Sequence, residues 1–238
     1  MNRELFIKYV EDLNLKVTSS QLDQLEIYAN FLLEYNEHTN LTAIKTKEEV
    51  YLKHFYDSLT LVKYIDLNNY ESLVDIGTGA GFPGMVLKII YPHLKVILID
   101  SNNKKIKFLD ELIKKLDIKN IETINTRSED YARSHKDKYD IVTARAVTSM
   151  PILSELCLPL VKKGGYFIPL KADVTEELEA STNILHELNA SIESINEFSL
   201  PIEQSKRTII KIKKTGTTPD KYPRTYDKMK KALKKNTK

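Results

Sequence analysis

The sequence predicts a doubly wound α/β protein, a mostly parallel sheet flanked by helices and preceded by an N-terminal helical cap. Three observations carry that expectation. Apolar spacing is helical through the first third of the chain and changes to strand-length runs after Tyr70. Those runs alternate with helix-length segments, as parallel neighbours require, because each needs a crossover of about a dozen residues or more. The first run ends in a glycine-rich turn, Gly77-Thr78-Gly79-Ala80-Gly81, directly before a helix.

The cap is expected over residues 1–68. There Leu22, Leu25, Tyr28, Ala29, Leu32 and Tyr35 recur at helical spacing behind Ser19 or Ser20 as N-cap, and 48–65 repeats the pattern with Val50, Leu52, Phe55, Leu59 and Val62. Between them 36–46, with Thr39-Asn40-Leu41-Thr42, is turn-like and is expected to fold back onto the next domain. In that main domain, residues 69–214, strands are expected at 72–76, 95–99, 121–125, 139–143 and 165–170. Helices at 83–91, 103–116, 129–134 and 150–161 separate them. After a helix over 174–188, the apolar runs 191–198 and 207–213 succeed one another with no helix between, which predicts an antiparallel hairpin at the sheet edge. Residues 215–238 form a basic tail, expected outside any crevice of the main domain.

The net charge of +3 is unevenly distributed. Residues 1–203 hold 23 Lys and Arg against 31 Asp and Glu, a balance of −8, whereas 204–238 hold 13 against 2, a balance of +11. Lys228, Lys230, Lys231, Lys234, Lys235 and Lys238 are the footprint of a polyanion binder, or else a solvated end. A single cysteine, Cys157, can form no bridge within the chain and has no metal-ligand spacing, so no metal is expected and a reducing, cytoplasmic compartment is. The opening residues lack the apolar run of a signal peptide, and every apolar stretch is far short of the roughly 20 residues of a membrane span.

The glycine turn points to a ligand, because glycines allow a sharp turn and close backbone approach while the helix after it presents free N–H groups. A dinucleotide fingerprint counted from Gly77 would place bulky Phe82 at its sixth position, and the Gly-Lys-Ser/Thr of a phosphate loop is absent. The pattern Asp75-x-Gly77-x-Gly79-x-Gly81 instead resembles the first motif of S-adenosylmethionine methyltransferases, whose cofactor carries an ammonium and a sulfonium in place of a pyrophosphate. Asp100, ending the second strand, stands where an acid accepts both ribose hydroxyls; its other reading is a helix cap.

The acceptor can be narrowed by what is missing. Carbon methylation of a pyrimidine requires a thiol nucleophile, and Cys157 lies in an apolar helix-like run that reads as core. Exocyclic amine methylases carry Asn/Asp-Pro-Pro-aromatic after the fourth strand, where this chain has Thr143-Ala144-Arg145-Ala146-Val147. An unprotonated lone pair such as guanine N7 requires only alignment. His54, Asp57 and Ser58, close on one helix, could orient one another or a substrate, or could tie the cap to the sheet domain.

With Tyr35-Asn36, Asn40-Leu41-Thr42, His54, Asp57-Ser58, the run from Asp75 to Gly84, Asp100-Ser101, Lys104-Lys105, Arg127, Glu129, Ala144-Arg145-Ala146, Leu170-Lys171 and Arg207 in order, the chain resembles the bacterial 16S rRNA guanine-N7 methyltransferase family. That family is also called ribosomal RNA small subunit methyltransferase G, or glucose-inhibited division protein B. The resemblance implies a Rossmann-like class I fold with a seven-stranded sheet and methyl transfer to N7 of one guanine in 16S rRNA. It also implies that Gly77, Gly79 and Phe82 line the cofactor, Asp100 takes the ribose, Ser128 and Glu129 lie beside the adenine, and Arg145 sits at the methyl-donor end. Lys171 and Arg207 are expected at RNA phosphate or guanine, His54 and Arg145 as substrate-positioning groups, and the partner as 16S rRNA or the small ribosomal subunit, met by a monomer. Ala172, where the family commonly has glycine, and the tail after Arg224 depart from the pattern. Two other functions would share the turn: a non-catalytic rRNA-binding protein of the same fold, and an NAD-dependent oxidoreductase, which Phe82 opposes.

Overall fold

The computed structural model describes residues 1–236, and Lys238 of the basic tail lies outside them. Its seven strands are β1 (Ser72–Ile76), β2 (Lys95–Asp100), β3 (Ile121–Asn125), β4 (Tyr139–Arg145), β5 (Val161–Lys171), β6 (Ala190–Ser199) and β7 (Lys206–Lys214). They form one sheet in the order β3-β2-β1-β4-β5-β7-β6. β1 pairs in parallel with β2 and β4, β2 with β3, and β4 with β5, whereas β7 runs antiparallel to both β5 and β6. The expected hairpin is therefore present, with β7 inside the sheet and β6 at its edge. Their sequences show why: β6 alternates half-buried and exposed along its whole length, while β7 buries consecutive Thr208, Ile209 and Ile210. The order reverses between β1 and β4, which opens a crevice at the carboxyl ends of these strands.

Successive strand residues enter opposite cores, as a period of two requires. Leu73, Val96, Leu98 and Ile141 face one core, built with α2 (Ser19–Thr39), α5 (Gly84–Ile90) and α6 (Asn103–Leu116) and reached by α1 (Arg3–Glu11) through Phe6 and Val10. Val74, Ile97, Ile99 and Val142 face the other, covered by α7 (Ser128–Ser134), α8 (Met150–Cys157), α9 (Thr175–Glu187) and α10 (Tyr226–Asn236).

Four elements differ from the sequence expectation. The N-cap of α2 is Thr18, not Ser19 or Ser20, because Gln21 completes a capping box with it. Residues 48–65 do not form one α-helix. They break into α3 (Lys47–Glu49), a π-helical stretch Val50–Tyr56, α4 (Asp57–Leu59) and a 3-10 turn Thr60–Lys63. The helix over 150–161 stops at Cys157, and Pro159, which has no N–H to donate, falls in the 3-10 turn that leads into β5. Finally, the tail forms α10, which packs on α8 through Met229 and is moored by Arg224 against buried Glu155. No helix among the described residues is long and apolar enough to cross a membrane.

Candidate functional site

The crevice is built outward from Asp75, the fully buried penultimate residue of β1. Its Oδ2 accepts the Thr78 hydroxyl at 2.7 Å and the Gly84 amide at 2.8 Å, which ties the turn to the start of α5. Burial pushes its pKa up to about 7, and Oδ1 has no hydrogen-bond partner. Gly77 and Gly79 hold φ of +65° and +63°, left-handed values that favour glycine. The turn is stitched to β2 by Thr78 N–H donating to Ile99 O at 3.0 Å.

That conformation aims the Gly79 amide at Asp100, whose Oδ2 accepts it at 3.0 Å; Oδ1 accepts the Asn102 amide at 2.8 Å. Asp100 does not cap α6, since Asn102 does so by accepting from Lys104 N. A carboxylate offers about four acceptor positions, so both oxygens keep capacity for hydroxyl donors in the cleft.

The cleft above the turn encloses about 320 Å³. Gly77, Asp100, Ser101 and Lys105 line one side, Thr126 to Glu129 the next, and Ala146, Val147, Leu156 and Tyr226 close it. A Cβ on Gly77 would lie 2.7 Å from Val147 Cγ2, so the bare backbone there keeps the cleft open. Glu129 is buried, with Arg127 4.0 Å away. Gly77, Asp100, Ser128 and Glu129 thus line one cleft. Gly79 acts one step back, through Asp100. Phe82 does not line the cleft: its ring lies beneath it, stacked on His54 at 4.1 Å and Tyr28 at 5.4 Å.

A second cavity of about 530 Å³ adjoins the first and shares Ala146, a residue held at φ +54°. It gathers Lys53, His54, Asp57, Arg145, Lys171, Glu177 and Arg207 from four distant parts of the chain. Arg145, expected at the cofactor, lines this cavity, because its guanidinium is drawn toward the cap: it donates to Lys53 O at 2.9 Å, Asp57 Oδ2 at 3.1 Å and His54 Nδ1 at 2.9 Å. Its guanidinium also lies 5.1 Å from the centre of the Phe82 ring. Arg207 Nε donates to the other Asp57 oxygen at 3.0 Å. Burial pushes the Asp57 carboxyl upward, and the two guanidinium groups oppose it.

The Arg145 bond settles the state of His54. Arginine can only donate, so Nδ1 must accept and the proton resides on Nε2, directed to Thr42 Oγ1 at 3.0 Å. Burial, reinforced by Arg145, lowers the imidazole pKa to about 3. His54 and Asp57 thus tie the cap to β4, whereas Ser58 faces away, fully buried and with no partner for its hydroxyl. Lys171 donates to Thr148 O at 2.8 Å and pairs with Glu177 at 2.6 Å, and Glu177 also accepts the Met150 amide, so the pair braces the wall between the cavities. Lys53, Val147 and Tyr226 gave no sign in the sequence. Each reaches its cavity through tertiary packing.

A family model described as rRNA small subunit methyltransferase G matches residues 21–209. The chain is 49% identical over 222 residues to the ribosomal RNA small subunit methyltransferase G of Lachnoclostridium phytofermentans, covering 92% of each chain. It is 48% identical over 227 residues to that of Bacillus licheniformis, covering 94% of this chain and 95% of the other. In three dimensions it resembles the YcgJ protein of Bacillus subtilis, with a TM-score of 0.52 and 12% identity over 68% of this chain and all of that one, a likeness of fold. A glycine-turn cleft at the switch point of a seven-stranded sheet, joined to a cation-lined cavity and found together with these sequence matches, shows that the chain belongs to the rRNA small subunit methyltransferase G family.

Proposed function

We propose that the chain methylates N7 of a guanine in 16S rRNA, with S-adenosylmethionine in the cleft of Gly77 and Asp100 and the guanine in the cavity of Arg145 and Lys171. The observation that carries the choice of atom is the state of the second cavity. His54 is neutral with both ring nitrogens engaged, Asp57 is held by two arginines, and Glu177 by Lys171 and an amide, so none of the three is poised to take a proton. Guanine N7 presents a lone pair and loses no proton, so alignment and exclusion of water are sufficient.

The cleft suits this cofactor. When bound, S-adenosylmethionine supplies an electrophilic methyl on sulfonium. Asp100 would accept the ribose hydroxyls, and Ser128 and Glu129 would flank the adenine, beside a turn that brings no lysine or arginine of its own. Ala146, common to both cavities, marks where donor and acceptor meet, and Arg145 next to it would position the base. Lys171 and Arg207, neutralised by carboxylates as the structure stands, would exchange those partners for rRNA phosphate. In this reading the chain acts as a monomer in the cytoplasm.

Nucleoside mass spectrometry of 16S rRNA incubated with the protein and S-adenosylmethionine tests it. N7-methylguanosine is expected, and a methyl on an exocyclic amine, a ring carbon or a ribose would overturn the reading. Asp100→Ala is expected to weaken cofactor binding by about 1.5–3 kcal/mol, the range for a hydrogen bond to a charged group.

A further inference from the structure

The basic C-terminal segment was expected to lie outside the cofactor crevice, yet Tyr226, the first residue of α10, forms part of its wall beside Leu156 of α8. The same helix carries five lysines against one aspartate in its 11 residues. Its two faces are distinct. Tyr226, Met229 and Leu233 recur at helical spacing toward α8, with Met229 only 2% exposed, while Lys228, Lys230, Lys231 and Lys234 are exposed. Arg224, just before the helix, forms a bidentate pair with Glu155, itself 1% exposed in side-chain terms, and fixes where α10 begins. Lys230 Nζ lies 4.8 Å from the centre of the Tyr226 ring, so the charged face and the cleft wall touch each other.

We propose that α10 couples rRNA binding to cofactor binding: Tyr226 closes the cleft only while α10 is docked, and RNA phosphates on its lysine face hold it docked. This rests on the reading of the cleft as the cofactor site. An 11-residue helix is marginal by itself, and Lys228 with Lys231, and Lys230 with Lys234, place like charges at the spacings where they repel. The apolar footing on α8 and the pair of Asp227 with Lys230 at 3.4 Å offset that repulsion in part. A polyanion removes it. Whatever favours the docked helix favours a cleft walled by Tyr226, and linkage makes the effect reciprocal, so bound cofactor tightens RNA binding by the same factor.

Calorimetry with S-adenosylhomocysteine, which binds without turnover, and small ribosomal subunits from cells lacking this methyltransferase tests the coupling. The full chain is expected to bind S-adenosylhomocysteine at least about fivefold more tightly with subunits than without, within the usual range of coupling between sites. Tyr226→Ala is expected to weaken S-adenosylhomocysteine several-fold and to abolish the gain, while Tyr226→Phe, which keeps the wall, restores both. Replacing Lys228, Lys231 and Lys234 with Gln removes the same repulsion without RNA, so it is expected to tighten S-adenosylhomocysteine without subunits and to abolish the further gain on adding them. It should also flatten the log-log salt dependence of subunit binding by about 2, at roughly 0.7 per phosphate contact on single strands. Equal S-adenosylhomocysteine affinity with and without subunits, or unchanged affinity in Tyr226→Ala, overturns the proposal and leaves the assignment of the cleft intact. Failure of the full chain to bind S-adenosylhomocysteine at all overturns that assignment and this proposal together.

Discussion

At Gly77 two constraints coincide, whereas at Gly79 there is one. Both are left-handed, which costs a residue with a Cβ roughly 1–2 kcal/mol. Only at Gly77 would the added carbon also meet a neighbour, Val147 Cγ2 at 2.7 Å; at Gly79 the nearest atom is Gly77 O at 4.0 Å. Gly79 is therefore required for the direction of its amide toward Asp100, not for space. Gly77→Ala is expected to cost more stability than Gly79→Ala, and adding Val147→Ala to the first should recover the steric part but not the backbone part. Urea midpoints and cofactor titrations of the three variants decide this; equal losses from the two glycine substitutions would show the Val147 contact to be irrelevant. His54 gives a pH signature. Its folded pKa, about 3, lies below its unfolded value of about 6.5, so on acidification the unfolded chain takes up a proton that the native chain refuses. The stabilisation is complete above the unfolded value and is lost as pH falls toward the folded one. Asp75, raised to about 7, contributes with opposite sign, but equally in both chains of a comparison. Between about pH 8 and about pH 5 the native protein should thus lose about 2 kcal/mol more than His54→Gln does. Parallel pH profiles of unfolding free energy would refute the neutral, engaged histidine.

The π-helical stretch Val50–Tyr56 is an element whose geometry is set from far away in the chain. Arg145, 92 residues downstream, takes the Lys53 carbonyl, and the wide turn sets His54 and Asp57 side by side to receive the rest of the guanidinium. Asp57→Asn leaves two partly buried guanidinium groups without their counter-charge and is expected to destabilise by about 1.5–3 kcal/mol, the range for a hydrogen bond to a charged group. Ser58→Ala deletes a buried hydroxyl with no partner and should be neutral or stabilising, which denaturant midpoints of both variants will show. Cys157→Ala, at a fully buried thiol in α8 whose pKa burial raises, should retain methyl transfer to rRNA; a folded but inactive variant would point to a covalent mechanism instead. These elements also show what could be read in advance. The strand runs, the glycine turn and the place of Asp100 at the end of the second strand are local patterns, so periodicity and turn chemistry exposed them. The π turn, the burial of Phe82 beneath the cleft and the arrival of Tyr226 at its wall depend on Arg145, on His54 and Tyr28, and on the Arg224–Glu155 pair. Apart from Arg224, which is two residues before Tyr226, none of those partners is near in sequence, so local propensity carried no trace of them.

On the scale of the whole molecule, the N-terminal helices share one core with the sheet. Phe6 packs edge-on against Tyr51, Tyr51 against Phe55, Phe55 against Tyr28, and Tyr28 stacks on Phe82 beside the cleft, with Phe108 of α6 on its far side. The Tyr28 hydroxyl also donates to Ala80 O within the glycine turn, and Gly81 leaves it room, since a Cβ there would lie 2.6 Å from that oxygen. A continuous aromatic column thus runs from the first helix to the floor of the cleft. Residues 1–68 and the sheet are therefore expected to unfold in one cooperative transition. Phe6 is fully buried at the far end of the column, and Phe6→Ala should cost about 3–5 kcal/mol. If the core is shared, that loss lowers the single midpoint seen alike by far-UV circular dichroism, by tyrosine near-UV signal and by release of bound cofactor. Were the cap an independent unit, Phe6→Ala would split off an early transition and leave cofactor release where it stands in the unsubstituted chain. Thermal scans of both proteins with the three probes distinguish these outcomes, and a split transition would sever the link between α1 and the glycine turn.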